Sequence, residues 1–201
     1  MPDEVTYSQY QEQSAILAAV GNLPPGEQLL DIGCWHAKQF SNSRALIERG
    51  WSAVLIEPSP APLLGLIEEY GNADGITVIS AAMGLEAGFV EMQISDDAVS
   101  TSDAASFAAW KDTAHFRGRL TVPVLTWEQI STRWGGFAFV SIDAEGLSAE
   151  LFLRMLALDL QPKCVAVEHD GRSTELIEAA TRMHYVCTYG NATNLVFVRN
   201  G

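Results

Sequence analysis

Short apolar runs alternate with longer stretches of helical spacing through most of this chain, and that alternation constrains the fold more than any other feature. The runs at 28–33 (QLLDIG), 52–57 (SAVLIE), 76–83 (ITVISAAM), 137–144 (FAFVSIDA) and 163–168 (KCVAVE) are apolar without a polar face, as strands buried on both sides are. Between them, 9–20, 40–49, 60–70, 148–157 and 173–183 carry helical spacing. Gly50 and Gly71 stop two of these helices, and Pro58 and Pro60 open one. Strand–helix alternation of this kind predicts an α/β fold with a mostly parallel sheet covered on both faces.

The middle third is less regular. Residues 89–94 alternate like a strand with one wet face, 96–103 read as a polar loop, and 104–116 as a short helix. A strand at 120–125 contains Pro123 and should lie at an edge. Thr126 and Gln129 have capping-box spacing for a helix over 127–133. The chain closes on a strand pair at 185–189 and 195–199, which places an antiparallel member at one side of the sheet. No linker interrupts the pattern, so the 201 residues read as one domain.

Charge narrows the partners. With 12 Lys and Arg against 25 Asp and Glu, the net charge is −13, which repels phosphate backbones and anionic membranes. Nucleic acid is therefore not an expected partner. Cys34, Cys164 and Cys187 are odd in number, widely spaced and set in apolar runs, so they read as buried free thiols in a reducing compartment. The start, Met-Pro-Asp-Glu-Val-Thr, lacks a signal-peptide pattern, and no run is long enough for a membrane span, so the expected location is the cytoplasm.

Ligands of open α/β sheets bind past the carboxyl ends of the strands. After the first strand stands Asp31-Ile32-Gly33-Cys34-Trp35-His36, and the second ends on Glu57, 24 positions after Gly33. That interval suits an acidic side chain that accepts from ribose hydroxyls. The glycines of a pyrophosphate cradle are missing, since Trp35 and Lys38 occupy their positions. A nucleoside without a pyrophosphate, such as S-adenosylmethionine, fits better than a dinucleotide. Past the fourth buried strand lie Asp143, Glu145 and Gly146, and past the fifth Glu168, His169 and Asp170. These could supply a general base, or with Asp143 an oxygen-rich divalent-cation site, although no metal ligand set is assigned. His36 and His169 fall on the same side, His115 and His184 away from it. Trp110, Phe116, Trp127 and Trp134 suit an acceptor pocket, a partner surface or the core.

Two blocks carry a family resemblance. LLDIGCWHAKQFSNSRALIERGWSAVLIEPSP and VSIDAEGLSAELF, with the shorter VAVEHD and NLVFVR, resemble the FkbM family of S-adenosylmethionine-dependent methyltransferases over about residues 8–199. The resemblance implies a Rossmann-like class I methyltransferase fold with a seven-stranded sheet, and methyl transfer, usually to oxygen. By position it implies that Asp31 and Gly33 line the methionine part, with Cys34 beside them. Glu57 would hold the ribose next to Pro58, Ala82 and Met83 would border the adenine, and Asp143 would lie near the amino group and the acceptor. The sequence departs from the family at Trp35, where Asn is frequent, and at Ala37, where Gly or Pro is.

The expected reaction is O-methylation of a sugar, glycan or other small hydroxylated molecule, with His36, Asp143, Glu145 and His169 as candidate bases. Two rivals are a non-catalytic S-adenosylmethionine binder and a nicotinamide-dependent oxidoreductase.

Overall fold

The computed structural model describes residues 5–200, so the first part of the N-terminal stretch read above lies outside the described residues. A seven-stranded sheet has the order β3-β2-β1-β7-β8-β10-β9. Its strands are β1 (Gln28–Ile32), β2 (Ser52–Ile56), β3 (Ile76–Ile79), β7 (Phe139–Ile142), β8 (Cys164–Glu168), β9 (Tyr185–Gly190) and β10 (Asn194–Arg199). All neighbours pair in parallel except at β10, which is antiparallel to both β8 and β9 and sits between them. The strand order turns between β1 and β7, where the chain leaves one half of the sheet for the other.

Burial explains the uninterrupted apolar runs. Alternate residues feed two cores: Leu30, Ile32, Val54, Ile56, Val140, Ile142, Val165 and Val167 point one way. Leu29, Ala53, Leu55, Phe139, Cys164 and Ala166 point the other. The second core is roofed by α1 (Glu12–Val20), the four-residue α2 (Arg44–Ile47) and α3 (Pro60–Tyr70). The first is roofed by α5 (Trp127–Trp134), α6 (Ser148–Ala157) and α7 (Ser173–Arg182). Helix α5 starts at the expected box, where Gln129 Oε1 accepts the Thr126 N–H at 3.0 Å.

Four expectations are corrected. The run 76–83 is not one strand: β3 stops at Ile79, and β4 (Ala82–Met83) joins a separate sheet of order β4-β6-β5. That sheet is built on a hairpin of β5 (Gly88–Ser95) and β6 (Phe116–Leu125) around α4 (Ala104–Trp110). β6 is therefore central rather than an edge, although Pro123 itself precedes the two residues that pair with β4 and faces only Phe89. The helix expected over 40–49 shrinks to α2, because Phe40 takes φ 57° and Ser41 Oγ caps Arg44 N–H at 3.1 Å. Cys34 and Cys164 are buried but Cys187 is only half-buried, and all three thiols are free. Among the described residues, no helix is long and apolar enough to cross a membrane.

Candidate functional site

A cavity of about 430 Å³ opens past the ends of β1, β2 and β7, where the strand order turns. This lies within the usual range for small-ligand pockets. Gly33 shapes its floor. It stands at φ 73°, and a Cβ there would lie 1.7 Å from the Asp143 carbonyl oxygen. Only glycine lets the two strand tips meet this closely, and Asp143 N–H then donates to Ile32 O at 2.9 Å. Ile142 is buried in the core, so strand alternation turns Asp143 toward the cavity, which it lines.

Glu57 is 4% exposed and organises the first loop. Trp35 N–H donates to its Oε2 at 2.9 Å and Ser59 N–H to its Oε1 at 2.7 Å. Burial raises its carboxyl above the usual range, against the pull of the Ser59 and Trp35 donors. Trp35 sits at φ 41°, a left-handed conformation that Asn adopts at lower cost, and it stacks on Phe40 at 5.8 Å between ring centres. The aromatic pair offsets part of that strain. Of the six non-glycine residues with positive φ among those described, Trp35, Phe40, Glu145 and Asp170 lie on loops after β1, β7 and β8. Strain concentrated on these loops marks a site that the surrounding fold holds in place.

Carboxylates dominate the electrostatics. Asp31 is 3% exposed; burial pushes it up to about 6, and the hydroxyls of Ser43 and Ser141 act in the opposite direction. Asp143 is exposed to the cavity, and the protein packed around that cavity, then the charges of Glu168 and Glu145, raise it well above the carboxylate range. Glu168, within hydrogen-bond reach of Asp143, is raised to about 7 by burial and by Asp170. Glu145 is raised to about 8 by burial and by Glu168 and Asp170. A protonated carboxyl bonded to a carboxylate is the low-energy state of such a pair.

The sequence-derived residues divide cleanly. Asp31, Gly33, Cys34, Glu57, Pro58, Ala82, Met83, Asp143 and Glu145 all line the cavity. The two histidines do not. His36 is exposed, and its Nδ1 accepts the N–H groups of Lys38 and Gln39, both at 3.0 Å. His169 is buried, and its Nδ1 accepts Gly171 N–H at 3.1 Å. Both hold turns. Among the described residues, no group of three or more His, Cys, Asp or Glu is arranged to hold a metal ion.

The structural roles of Asp170 and Gly146, and the contributions of Thr101 and Glu12, were not foreseen. Asp170 accepts from Gly146 N–H at 3.2 Å and Ala149 N–H at 2.8 Å, so it caps α6 and fixes the loop that carries Glu145. Gly146 lets the hairpin insert dock: a Cβ there would lie 2.5 Å from Ser106 Oγ and 3.0 Å from Asp103 Cβ. Thr101 Oγ1 donates to Glu145 O at 2.7 Å across the same junction. Buried Glu12 accepts from Asn191 and Asn194 at 2.8 and 3.0 Å, which ties the start of α1 to the β9–β10 turn. None of these long-range pairings has a local sequence signal.

The residues present fit S-adenosylmethionine. A side-chain-free turn at Gly33, an acidic group at the tip of β2, an apolar wall at Ala82 and Met83, and acceptors at Asp31 and Asp143 would suit its backbone approach, ribose, base and ammonium.

The parallel sheet with one reversed strand and a cavity at the turn in strand order defines a Rossmann-like methyltransferase fold. No family model matches the chain, and no curated protein matches it. Solved structures do. The methyltransferase FkbM from Methylobacillus flagellatus KT is similar at 18% identity and TM-score 0.56, with 92% of this chain matched to 47% of that one. The chain thus spans about half the length of that protein. Precorrin-6y C5,15-methyltransferase from Geobacter metallireducens GS-15 is similar at 13% identity and TM-score 0.52, over 100% of this chain and 96% of that one. A protein of the NADB-Rossmann superfamily from Streptococcus agalactiae gives 13% identity and TM-score 0.51, over 100% and 72%. Likeness at these identities establishes the fold.

Proposed function

We propose that the chain is an S-adenosylmethionine-dependent methyltransferase of FkbM type that methylates a hydroxyl oxygen of a small acceptor, a sugar, glycan or other hydroxylated molecule. The observation that carries this reading is Gly33 pressed against Asp143, with Glu57 at the adjacent strand tip of the same cavity. When bound, S-adenosylmethionine supplies an electrophilic methyl group on a sulfonium. Glu57 accepts from the ribose hydroxyls while the Trp35 and Ser59 amides hold its carboxylate still. Asp31 and Asp143 receive the ammonium, and Cys34, Pro58, Ala82 and Met83 wall the rest. Alignment of the acceptor oxygen and exclusion of water are the main demands of such a displacement.

Asp143 takes the hydroxyl proton. It lines the cavity, and an ammonium beside it favours the ionised form that can accept a proton. Glu145 stands beside Asp143 and Glu168 and tunes them by charge. His36 and His169 do not line the cavity and accept from local amides instead. A nicotinamide reading lacks the glycines a pyrophosphate needs, since Trp35 and Lys38 hold those positions. The acidic lining and net charge of −13 disfavour nucleic acid, and three free thiols suit a reducing, cytoplasmic setting.

The test is a calorimetric comparison of wild type and Glu57→Gln with S-adenosylhomocysteine. At least a tenfold loss of affinity is expected, about the worth of one charge-assisted hydrogen bond. Equal affinity would remove Glu57 from the ribose site. A non-catalytic binder would show the same affinities but no methyl transfer to any acceptor.

A further inference from the structure

The cavity wall holds more carboxyl groups than the proposed cofactor explains. Its carboxylates are Asp31, Glu57, Asp97, Asp143, Glu145 and Glu168, and among the described residues no Lys, Arg or His lines it. S-adenosylmethionine carries an ammonium and a sulfonium against one carboxylate, a single net positive charge. Asp31, Glu57 and Asp143 already answer it. Asp97 and Glu145 are left over where the hairpin insert meets the β7–α6 loop, and Glu168, at the end of β8, has no cation to answer beyond its bond to Asp143.

Two arrangements show that this surplus belongs to the cavity rather than to a solvated surface. Glu145 is anchored through its own carbonyl by Thr101 Oγ1 at 2.7 Å, and Asp170 fixes the adjoining Gly146 amide. The insert also contributes Trp110, which lines the cavity at the end of α4 and is 44% exposed. Tyr10 and Phe40 add half-exposed aromatic faces at the rim. Aromatic faces combined with carboxylates attract a compact cation and offer nothing to an anion.

Resting on the methyltransferase reading above, we infer that the acceptor bears a protonated amine in addition to the hydroxyl that is methylated, held by Glu145 and Glu168 against Trp110. An aminosugar or an amino alcohol has this chemistry; phosphorylated and carboxylated acceptors do not. The same arrangement explains why Glu145 and Glu168 resist ionisation while no cation faces them: burial and each other's charge oppose it. An ammonium between them would favour the charged forms, so its binding near pH 7 should release protons.

The experiment titrates two matched sets by calorimetry: glucosamine, glucose and glucuronate, then tyramine, 4-hydroxybenzyl alcohol and 4-hydroxybenzoate. Each set is run on apo protein and on protein saturated with S-adenosylhomocysteine. At least one amine should bind tenfold or more tightly than its neutral partner, the acid should not bind, and proton release should accompany the amine. Glu145→Gln/Glu168→Gln should erase the preference while an unchanged circular-dichroism spectrum and a cooperative thermal melt report that the variant is folded. Equal binding of neutral and amine ligands, no binding by either amine, or a preference that survives the double substitution would overturn the inference. Amine preference without S-adenosylhomocysteine binding would instead overturn the cofactor reading and leave the acidic subsite standing.

Discussion

Gly33→Ala is the sharpest test of how the site is built. The added methyl would lie 1.7 Å from the Asp143 carbonyl oxygen, a distance no side-chain rotation relieves because the obstacle is backbone. The residue must also keep φ 73°, which costs an L-residue about 1–2 kcal/mol. Forced overpacking adds roughly 1–3 kcal/mol. The sum, about 2–5 kcal/mol, corresponds to a fall of roughly 4–20 °C in melting temperature for a chain of this size. Gly26→Ala is the internal control. Gly26 has φ 91° with nothing within 4 Å of its would-be Cβ, so it pays only the conformational cost, about 1–2 kcal/mol. Thermal melts of both variants, paired with S-adenosylhomocysteine titration below their transitions, separate clash from backbone strain. Gly33→Ala should melt lower than Gly26→Ala and lose cofactor-product binding. Equal melting of the two, with binding intact, would show that contact between the β1 and β7 tips does not build the site.

Other consequences follow from the same structure. Asp31, Glu168 and Glu145 hold their protons more tightly folded (about 6, 7 and 8) than unfolded (3.8, 4.5 and 4.5), so their stabilisation is complete below about pH 4 and is lost as pH rises to about 8. Melting temperature should therefore fall from pH 5 to pH 8, and Glu145→Gln/Glu168→Gln should flatten that slope; a rise over this range would contradict the burial of these groups. Asp31 alone accounts for about 3 kcal/mol of the effect, from a shift of about two pKa units. Asp170→Ala removes the acceptor for two amides at the start of α6 and should cost about 0.5–2 kcal/mol by urea unfolding, with acceptor turnover falling more than S-adenosylhomocysteine affinity. Trp127→Ala empties a fully buried position and removes the indole N–H that donates to the Leu151 carbonyl at 2.9 Å; a loss of about 3–5 kcal/mol is expected in the same assay.

What could be read before the structure was whatever burial writes locally. The central strands β1, β2, β7 and β8 were legible because two cores leave them no polar face. The apolar run 76–83 misled for the same reason: Ala82 and Met83 are as apolar as Ile79, but they pair with β6 in another sheet. The strand-tip wall of the cavity was legible because strand ends place it. The histidines show the limit. His36 and His169 follow strands as the carboxylates do, yet each turns its ring back to cap local amides, a choice made by loop dihedrals that one sequence does not display. The docking of the insert on Gly146 depends on residues some forty positions away, and no periodicity carries that information.

The most direct test of the central claim is calorimetric titration of the purified protein with S-adenosylhomocysteine beside NADH. The account predicts saturable one-to-one binding of S-adenosylhomocysteine and no binding of NADH. Folded protein that binds NADH, or that binds neither molecule, would contradict it.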